Sequence, residues 1–460
     1  MSVRAVVLAA GRGTRMRSDR PKVLFEVAGR PLVVWVVDAV IAAGVDDVTV
    51  VVGHGGEAVA EILPEGVGIA VQEPQLGTGH AVMAALDHMG DVAGDTVLVV
   101  PGDTPLLRPE TLGALLEAHS GSGSAATLLT VTMPDPTGYG RVVRRRDRVE
   151  AIVEERDASP EQRRIGEVAV STYAFEGAAL AGALREVGSE NTQGEYYLTD
   201  AVGLIAGRGG VAAMAGPDPD EVSGVNSMEQ LAGVSALMRR RILGRWMDQG
   251  VWVQDPARCY VDASVVLEPD SRIYADVHLE GRTTVGAGAV VGPGVHAADS
   301  VIGPGARVWY SVLRSAEVGE GAEVGPFASL RPGTVMGPGS KVGSFVETKA
   351  VALGAGSKIP HLSYIGDAAI GEQSNIGAGS ITCNYDGYQK HRTVIGDRVR
   401  IGSDTMLVAP VEVGDDGWTG AGSVITRDVA PGSLAVERSP QREVPGYAAR
   451  RARKAEREGE

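Results

Sequence analysis

From about Val251 onward, an aliphatic residue recurs at almost every sixth position, and glycine often follows it. One run is Val261, Leu267, Ile273, Leu279, Val285, Val291. A second is Val318, Val324, Leu330, Met336, Val342. A third is Ile395, Ile401, Leu407, Val413 and Ile425, with Thr419 as its polar exception. A helix repeats every 3.6 residues and a strand every 2, so neither explains a period of six. A parallel β-helix does, because each coil has an apolar side it cannot bury alone and must stack on its neighbours. At three hexads per coil, the stretch to Val429 predicts roughly nine or ten coils. The 63 glycines and the aromatic content of 4% suit such packing of small aliphatic side chains.

The first 226 residues are organised differently. Short apolar runs at 3–8, 48–52, 69–71, 96–100 and 126–131 predict strands, and helical spacing predicts helices over 31–43, 79–88 and 109–119. This alternation predicts an α/β domain built on a mostly parallel, Rossmann-like sheet. Residues 227–249 read as one linker helix: Ser227 and Gln230 suit a capping box, Leu231, Val234, Met238, Ile242 and Trp246 keep helical spacing, and Gly250 ends it. The expected division is therefore 1–226, a linker helix 227–249, a β-helix 250–437, and a basic tail 438–460 that is a frayed helix or disordered.

A net charge of −15 argues against broad nucleic-acid binding. The most apolar stretch, Leu32 to Val45, is short and broken by Asp38, so no membrane span is expected. The first residues lead from a strand directly into a glycine-rich turn, unlike a secretory signal. Cys259 and Cys383 have neither disulfide nor metal spacing. A cytoplasmic protein is expected.

Leu8-Ala9-Ala10-Gly11-Arg12-Gly13-Thr14-Arg15-Met16 follows the first strand and precedes Pro21-Lys22. Glycines let the backbone turn tightly and bring N–H groups to an anion, and Arg15 and Lys22 add positive charge where a phosphoryl group would react. A Rossmann fingerprint needs glycine where Met16 stands, and a Walker loop needs Gly-Lys-Ser/Thr, so both fail. Gly102-Asp103 follows another strand, at the edge where ligands gather in open α/β sheets, so Asp103 is placed to hold a divalent cation.

The string Gly11–Met16 with Pro21-Lys22 resembles the sugar-1-phosphate nucleotidyltransferases. Gln72 with Gly77-Thr78-Gly79-His80 is similar to that family's uracil-binding stretch. Taken with the hexads, Asp135–Arg141, Ile152-Val153-Glu154, Gln193–Asp200 and Gly224-Val225-Asn226 extend the resemblance. Over nearly the full length it reaches the bacterial family of bifunctional N-acetylglucosamine-1-phosphate uridyltransferases and glucosamine-1-phosphate N-acetyltransferases, whose β-helix is left-handed. That resemblance implies that Leu8, Ala9, Ala10, Gly11, Gly13, Lys22, Gln72, Gly77, Thr78, Gly102 and Asp103 line the UTP site. It also implies that Gly140 and Glu154 contact the amino sugar, and that Asn226 joins Asp103 at Mg²⁺, while Arg15 and Lys22 are catalytic. One departure matters. The family pattern has Glu-Val/Ile-Asn, a small residue and Gly, but here the string is Glu167-Val168-Ala169-Val170-Ser171. Ala169 cannot make the side-chain hydrogen bond of the expected amide, which would cost about 1–3 kcal/mol of discrimination unless another group replaces it. Pro101 is a lesser oddity.

A solenoid of aliphatics and glycines has no structural need for Arg331-Pro332-Gly333, Glu347-Thr348-Lys349, His361-Leu362-Ser363-Tyr364 or Asn384-Tyr385-Asp386-Gly387 with Lys390, all within a few coils. The resemblance implies that His361 is the general base for a sugar amine, a task imidazole suits at neutral pH. It implies that Arg331, Lys349 and Lys390 hold the sugar phosphate, and that Tyr364 and Asn375 hold the sugar. Acetyl-CoA would lie along Ala378, Asn384, Tyr385, Ser403, Ala421 and Arg438. A homotrimer is implied on the same ground. The expected function is acetylation of glucosamine-1-phosphate followed by uridylyl transfer from UTP. The alternative is a single-activity nucleotidyltransferase whose β-helix serves oligomerisation, and a third reading is a binding solenoid with a degenerate first domain.

Overall fold

The computed structural model describes residues 2–11, 13–53, 56–146, 148–208, 210–216 and 218–458, so Arg12 of the glycine-rich turn lies outside the described residues. The chain divides into two compact units, Met1–Ile242 and Leu243–Glu460.

The first unit contains strands β1 (Val3–Leu8), β2 (Asp47–Val52), β3 (Gly68–Val71), β4 (Thr96–Pro101), β5 (Ala126–Thr132), β6 (Gly140–Arg145), β7 (Arg148–Val153), β8 (Glu167–Glu176) and β9 (Val211–Ala215). They form one mixed sheet in the order β9-β5-β8-β4-β1-β2-β3, with the β6–β7 hairpin attached to β8. Between strands lie helices α1 (Leu32–Ala42), α2 (Thr78–Met89), α3 (Pro109–Ser122), α4 (Gly177–Leu184) and α5 (Leu198–Gly207). The flank β4-β1-β2-β3 is parallel, and Ala5, Val6, Val7, Val97, Leu98, Val99 and Val100 on it are all fully buried. Such two-sided burial explains why these strands read as unbroken apolar runs. The antiparallel strands β6, β7 and β8 are absent from the sequence-based set. In β6 and β7 arginines and glutamates interrupt the apolar signal, and Arg144 of β6 donates to both oxygens of Glu167 at the start of β8, each at 2.7 Å.

Helix α6 (Met228–Asp248) carries the chain from one unit to the other. Its capping box forms with one shift. Ser227 Oγ accepts from Gln230 N at 3.2 Å, while Gln230 Oε1 accepts from Asn226 N at 2.8 Å, so the cap also fixes Asn226.

The second unit is a parallel β-helix. An 11-stranded sheet lines one face and a 17-stranded sheet wraps the others. Val261 pairs with Leu279, Leu267 with Val285 and Ile273 with Val291, each one 18-residue coil apart. These side chains point inward, all 4% exposed or less. Thr419 in the aliphatic column is also buried, and its hydroxyl is satisfied: it accepts from Gly402 N at 2.9 Å and meets Thr405 Oγ1 at 3.2 Å. After the coils the tail forms an exposed helix, α7 (Tyr447–Glu458).

Candidate functional site

In the first unit, two cavities open at the carboxyl ends of β1 and β4. One, of about 530 Å³, is lined by Leu8, Ala9, Ala10, Gly11, Lys22, Gln72, Gly77, Thr78 and Asp103. This set gathers nearly every residue predicted for the nucleotide. Gln72 is buried, and its Nε2 donates to Gly77 O at 2.9 Å. Gln75 Nε2 donates to Ala10 O at 2.6 Å, tying the glycine-rich turn to the next loop. Thr78 Oγ1 accepts from Leu198 N at 3.1 Å, which orients the start of α2. Gly102 closes the turn after β4, where a Cβ would stand 3.0 Å from Leu8 O.

Gly13 has φ +58, and a Cβ there would lie 2.8 Å from Lys22 Cβ. Gly13→Ala is therefore expected to lower stability by about 1–2 kcal/mol and to displace Lys22. Urea unfolding reads the first effect. UTP affinity by calorimetry reads the second, and unchanged values for both would show that the turn tolerates a side chain.

Lys22 Nζ donates to Asp103 Oδ2 and, at 2.8 Å, to Asn226 Oδ1. Backbone bonding supports this meeting, since Val225 N donates to Asp103 O at 2.9 Å. Two oxygens from distant parts of the chain thus converge on one cationic centre. An ammonium already fills the place of a positive charge, so the donor set fits a hard divalent cation. Mg²⁺ is commonly held by one or two protein oxygens, with phosphates and water completing the shell. Among the described residues no cluster of three His, Cys, Asp or Glu exists that could hold a metal alone.

The second cavity, about 220 Å³, is lined by Arg15, Asp103, Gly140, Glu154, Ala169, Ser171, Tyr173, Thr199 and Asn226 among others. Arg15 and Asp103 therefore face the same space. Burial pushes the Glu154 carboxyl above the ordinary range, and the hydrogen bond from Thr199 Oγ1 at 3.0 Å pulls partly back. Gly140 leaves room beside it: a Cβ would come within 2.8 Å of Ile152 Cγ2.

On the β-helix the cationic residues gather at neighbouring coils. Arg331 Nη1 donates to Glu347 Oε1 at 2.8 Å, and Glu347 is in register with Tyr364. Lys349 Nζ stands 3.5 Å from Asp367 Oδ1 and also contacts Lys390. Contact with the Lys349 ammonium pushes Lys390 below the usual lysine range. Asn384, buried, donates to Asp367 Oδ2 at 2.5 Å and reaches Tyr364 Oη at 3.5 Å. His361 is exposed and ends the strand Lys358–His361, at the corner that leads to Tyr364.

The segment 384–391 bulges from the coil and is held by Asp386. Its carboxylate accepts from Gln389 N at 2.6 Å and Tyr388 N at 2.8 Å and meets His391 Nε2 at 2.7 Å. These partners hold the carboxyl far below the usual range. Tyr385 pairs with Lys390 across the bulge.

A separate column runs up one corner: Ala378 O accepts from Asp404 N, Ser403 O from Gly422 N, and Ala421 O from Arg438 Nη1, at 2.7, 2.9 and 2.8 Å. Asn375 lies on a different sheet from Lys349 and Tyr364. It pairs with Lys358 and Arg400 on the 11-stranded face. Sequence reasoning missed Asp367, which joins Lys349 to Asn384, and Tyr173 and Thr199, which line the second cavity. An aspartate in a hexad looks like an ordinary corner residue, and a buried tyrosine in a strand looks like core.

Residues 5–168 match the MobA-like NTP transferase domain family. The chain is 49% identical to the bifunctional protein GlmU of Streptomyces avermitilis over 97% of this chain and 94% of that protein. It is 48% identical to that of Heliobacterium modesticaldum over 95% of each chain, and 50% identical to that of Thermobifida fusca over 97% of this chain and 94% of the relative. With the transferase fold, the β-helix and both clusters in place, this chain belongs to the bifunctional GlmU family, transferases that join uridylyl and acetyl transfer in UDP-N-acetylglucosamine synthesis.

Proposed function

We propose that the cavities at the head of the first sheet carry uridylyl transfer and that the corner beside His361 carries acetyl transfer. The carrying observation is the meeting of Lys22, Asp103 and Asn226 beside two adjoining cavities, one polar enough for a sugar and one lined by the glycine-rich turn.

In the first reaction an oxygen of the sugar phosphate attacks the α-phosphorus of UTP, and the bond to pyrophosphate breaks. Negative charge grows on the phosphoryl oxygens, so the site needs positive charge and placement rather than a protein nucleophile. Lys22 and Arg15 supply fixed charge, the N–H groups of Gly11 and Gly13 turn toward the triphosphate, and Glu154 and Gly140 hold the amino sugar. Asp103 and Asn226 would hold Mg²⁺, which when bound neutralises charge on the phosphates.

In the second reaction His361 takes the proton from the amine of glucosamine-1-phosphate, the nitrogen attacks the acetyl-CoA carbonyl, and the C–S bond breaks as coenzyme A leaves. Arg331, Lys349 and Lys390 hold the sugar phosphate. Asn384 supports the developing oxyanion, with Tyr385 beside it, and the column Ala378, Ser403, Ala421 and Arg438 is the bed for coenzyme A. Residues 1–226 and 250–437 are thus the two catalytic domains.

The chain acts as a homotrimer. Asn375 sits on a different sheet from Lys349 and Tyr364, an arrangement that suits a sugar site shared between copies. Tyr310, Phe327 and Phe345 also form an exposed ladder, with ring centroids 5.8 and 5.3 Å apart, that a neighbouring copy would cover. Among the described residues no helix is long and apolar enough to cross a membrane. The cytoplasm, which holds both nucleotides and acetyl-CoA, is the expected compartment.

A coupled assay tests the whole. Purified protein with glucosamine-1-phosphate, acetyl-CoA, UTP and Mg²⁺ should release free thiol and pyrophosphate, and N-acetylglucosamine-1-phosphate with UTP alone should release only pyrophosphate. Thiol release without pyrophosphate, or the reverse, would reduce the chain to one activity.

A further inference from the structure

Strand β8 is irregular where it passes the two cavities. Its register with β5 jumps between Ala169, opposite Thr130, and Tyr173, opposite Leu128, so five residues of β8 (169–173) span what three of β5 (128–130) span. At the bulge Ser171 takes φ +55, a left-handed conformation that a serine holds only at a cost. A β-bulge of this kind re-aims a side chain. Ser171 is exposed, and with Pro101 and Asp103 it is one of three that, among the described residues, line both cavities. Ala169, two residues earlier, is buried against the sugar-side cavity and brings no polar side-chain atom.

The Ser171 side chain has the hydroxyl of Tyr173 as a neighbour, a side chain that is 2% exposed and packs against Phe175 at 5.6 Å between ring centroids. A hydroxyl pair can run in either direction, and when the phenol is the donor the serine keeps its own proton to give. At the junction of the cavities, Asp103 is a carboxylate engaged by Lys22 and Pro101 has no donor. Ser171 is therefore the side-chain donor among the three shared residues.

The bond made in uridylyl transfer joins what lies in one cavity to what lies in the other, so the acceptor's phosphate must stand at their junction. We infer that Ser171 Oγ donates a hydrogen bond to the 1-phosphate of the sugar acceptor, with Tyr173 as its positioning residue. The inference rests on the uridylyl-transfer reading and deepens it. The strained φ is kept because it points the hydroxyl at the reacting group. A hydrogen bond to a charged oxygen is among the stronger kind, and its loss corresponds to roughly a 10- to 100-fold change.

Ser171→Gly is the decisive variant. Glycine accepts φ +55 without strain, so the melting temperature should stay equal or rise, and a kinetic loss cannot be blamed on misfolding. We expect kcat/KM for N-acetylglucosamine-1-phosphate to fall roughly 10- to 100-fold, while the KM for UTP and inhibition by free N-acetylglucosamine, which has no phosphate, stay within twofold. Ser171→Ala should lose as much, and Tyr173→Phe should lose less in the same parameter. A kcat/KM within twofold of the parent, or an equal weakening of the free sugar, overturns the inference while the parent's pyrophosphate release leaves the reading intact. A parent protein that releases no pyrophosphate from UTP and this acceptor removes the reading and the inference together.

Discussion

His361→Ala will abolish acetyl transfer and leave uridylyl transfer within about twofold of the parent. A general base contributes about 10²–10⁴ in rate, and the loss should reach that range. The physical reason is the amine: a protonated amine has no lone pair to attack a thioester, so a proton acceptor within reach is required. His361 is exposed at a coil corner, so alanine there should empty no core and leave the melting temperature unchanged. Release of coenzyme A thiol from acetyl-CoA and glucosamine-1-phosphate measures the loss. Pyrophosphate release from UTP and N-acetylglucosamine-1-phosphate is the control. Equal loss of both activities would show that the two sites are not separate.

Asp103→Asn should produce the mirror image. Its carboxylate is one of the two oxygens that meet the Lys22 ammonium, and Asn226 supplies the other. Replacing it with an amide keeps the shape and removes the charge. Electrostatic stabilisation of a phosphoryl transition state by a bound cation is worth several kcal/mol, and each 1.36 kcal/mol is tenfold, so uridylyl transfer should fall by about three orders of magnitude. Binding of Mn²⁺, followed by its electron paramagnetic signal with UTP present, should weaken in parallel. Acetyl transfer should persist unchanged. Pyrophosphate release at the parent rate would remove Asp103 from the cation site.

Much of the fold was readable because its signals are local. The hexads and the Gly11–Met16 turn are short strings whose physics acts between near neighbours. The strands at 3–8 and 96–100 were visible because two-sided burial makes them apolar throughout. Strands β6 and β7 escaped because charged side chains such as Arg144, paired with Glu167, interrupt their apolar runs. The site was readable in its members more than in its arrangement. Arg15, Lys22, Asp103, Gly140, Glu154 and Asn226 line adjoining cavities, while Asn375 lies on a different sheet of the β-helix from Tyr364, with which it was paired for the sugar.

By itself the sequence determined a period, a glycine-rich turn after the first strand and the order of two chemistries along the chain. Each depends on residues a few places apart, whose geometry the backbone enforces. The tertiary structure alone decided that Lys22 meets Asp103 and Asn226, residues 81 and 204 positions away, because sheet order rather than spacing brings them together. It alone decided that Ser171, two residues after the alanine that replaces the expected amide, takes a left-handed φ where the two cavities meet. A left-handed φ at a bulge follows from how β8 must fit between β4 and β5, and no local pattern of side chains records it.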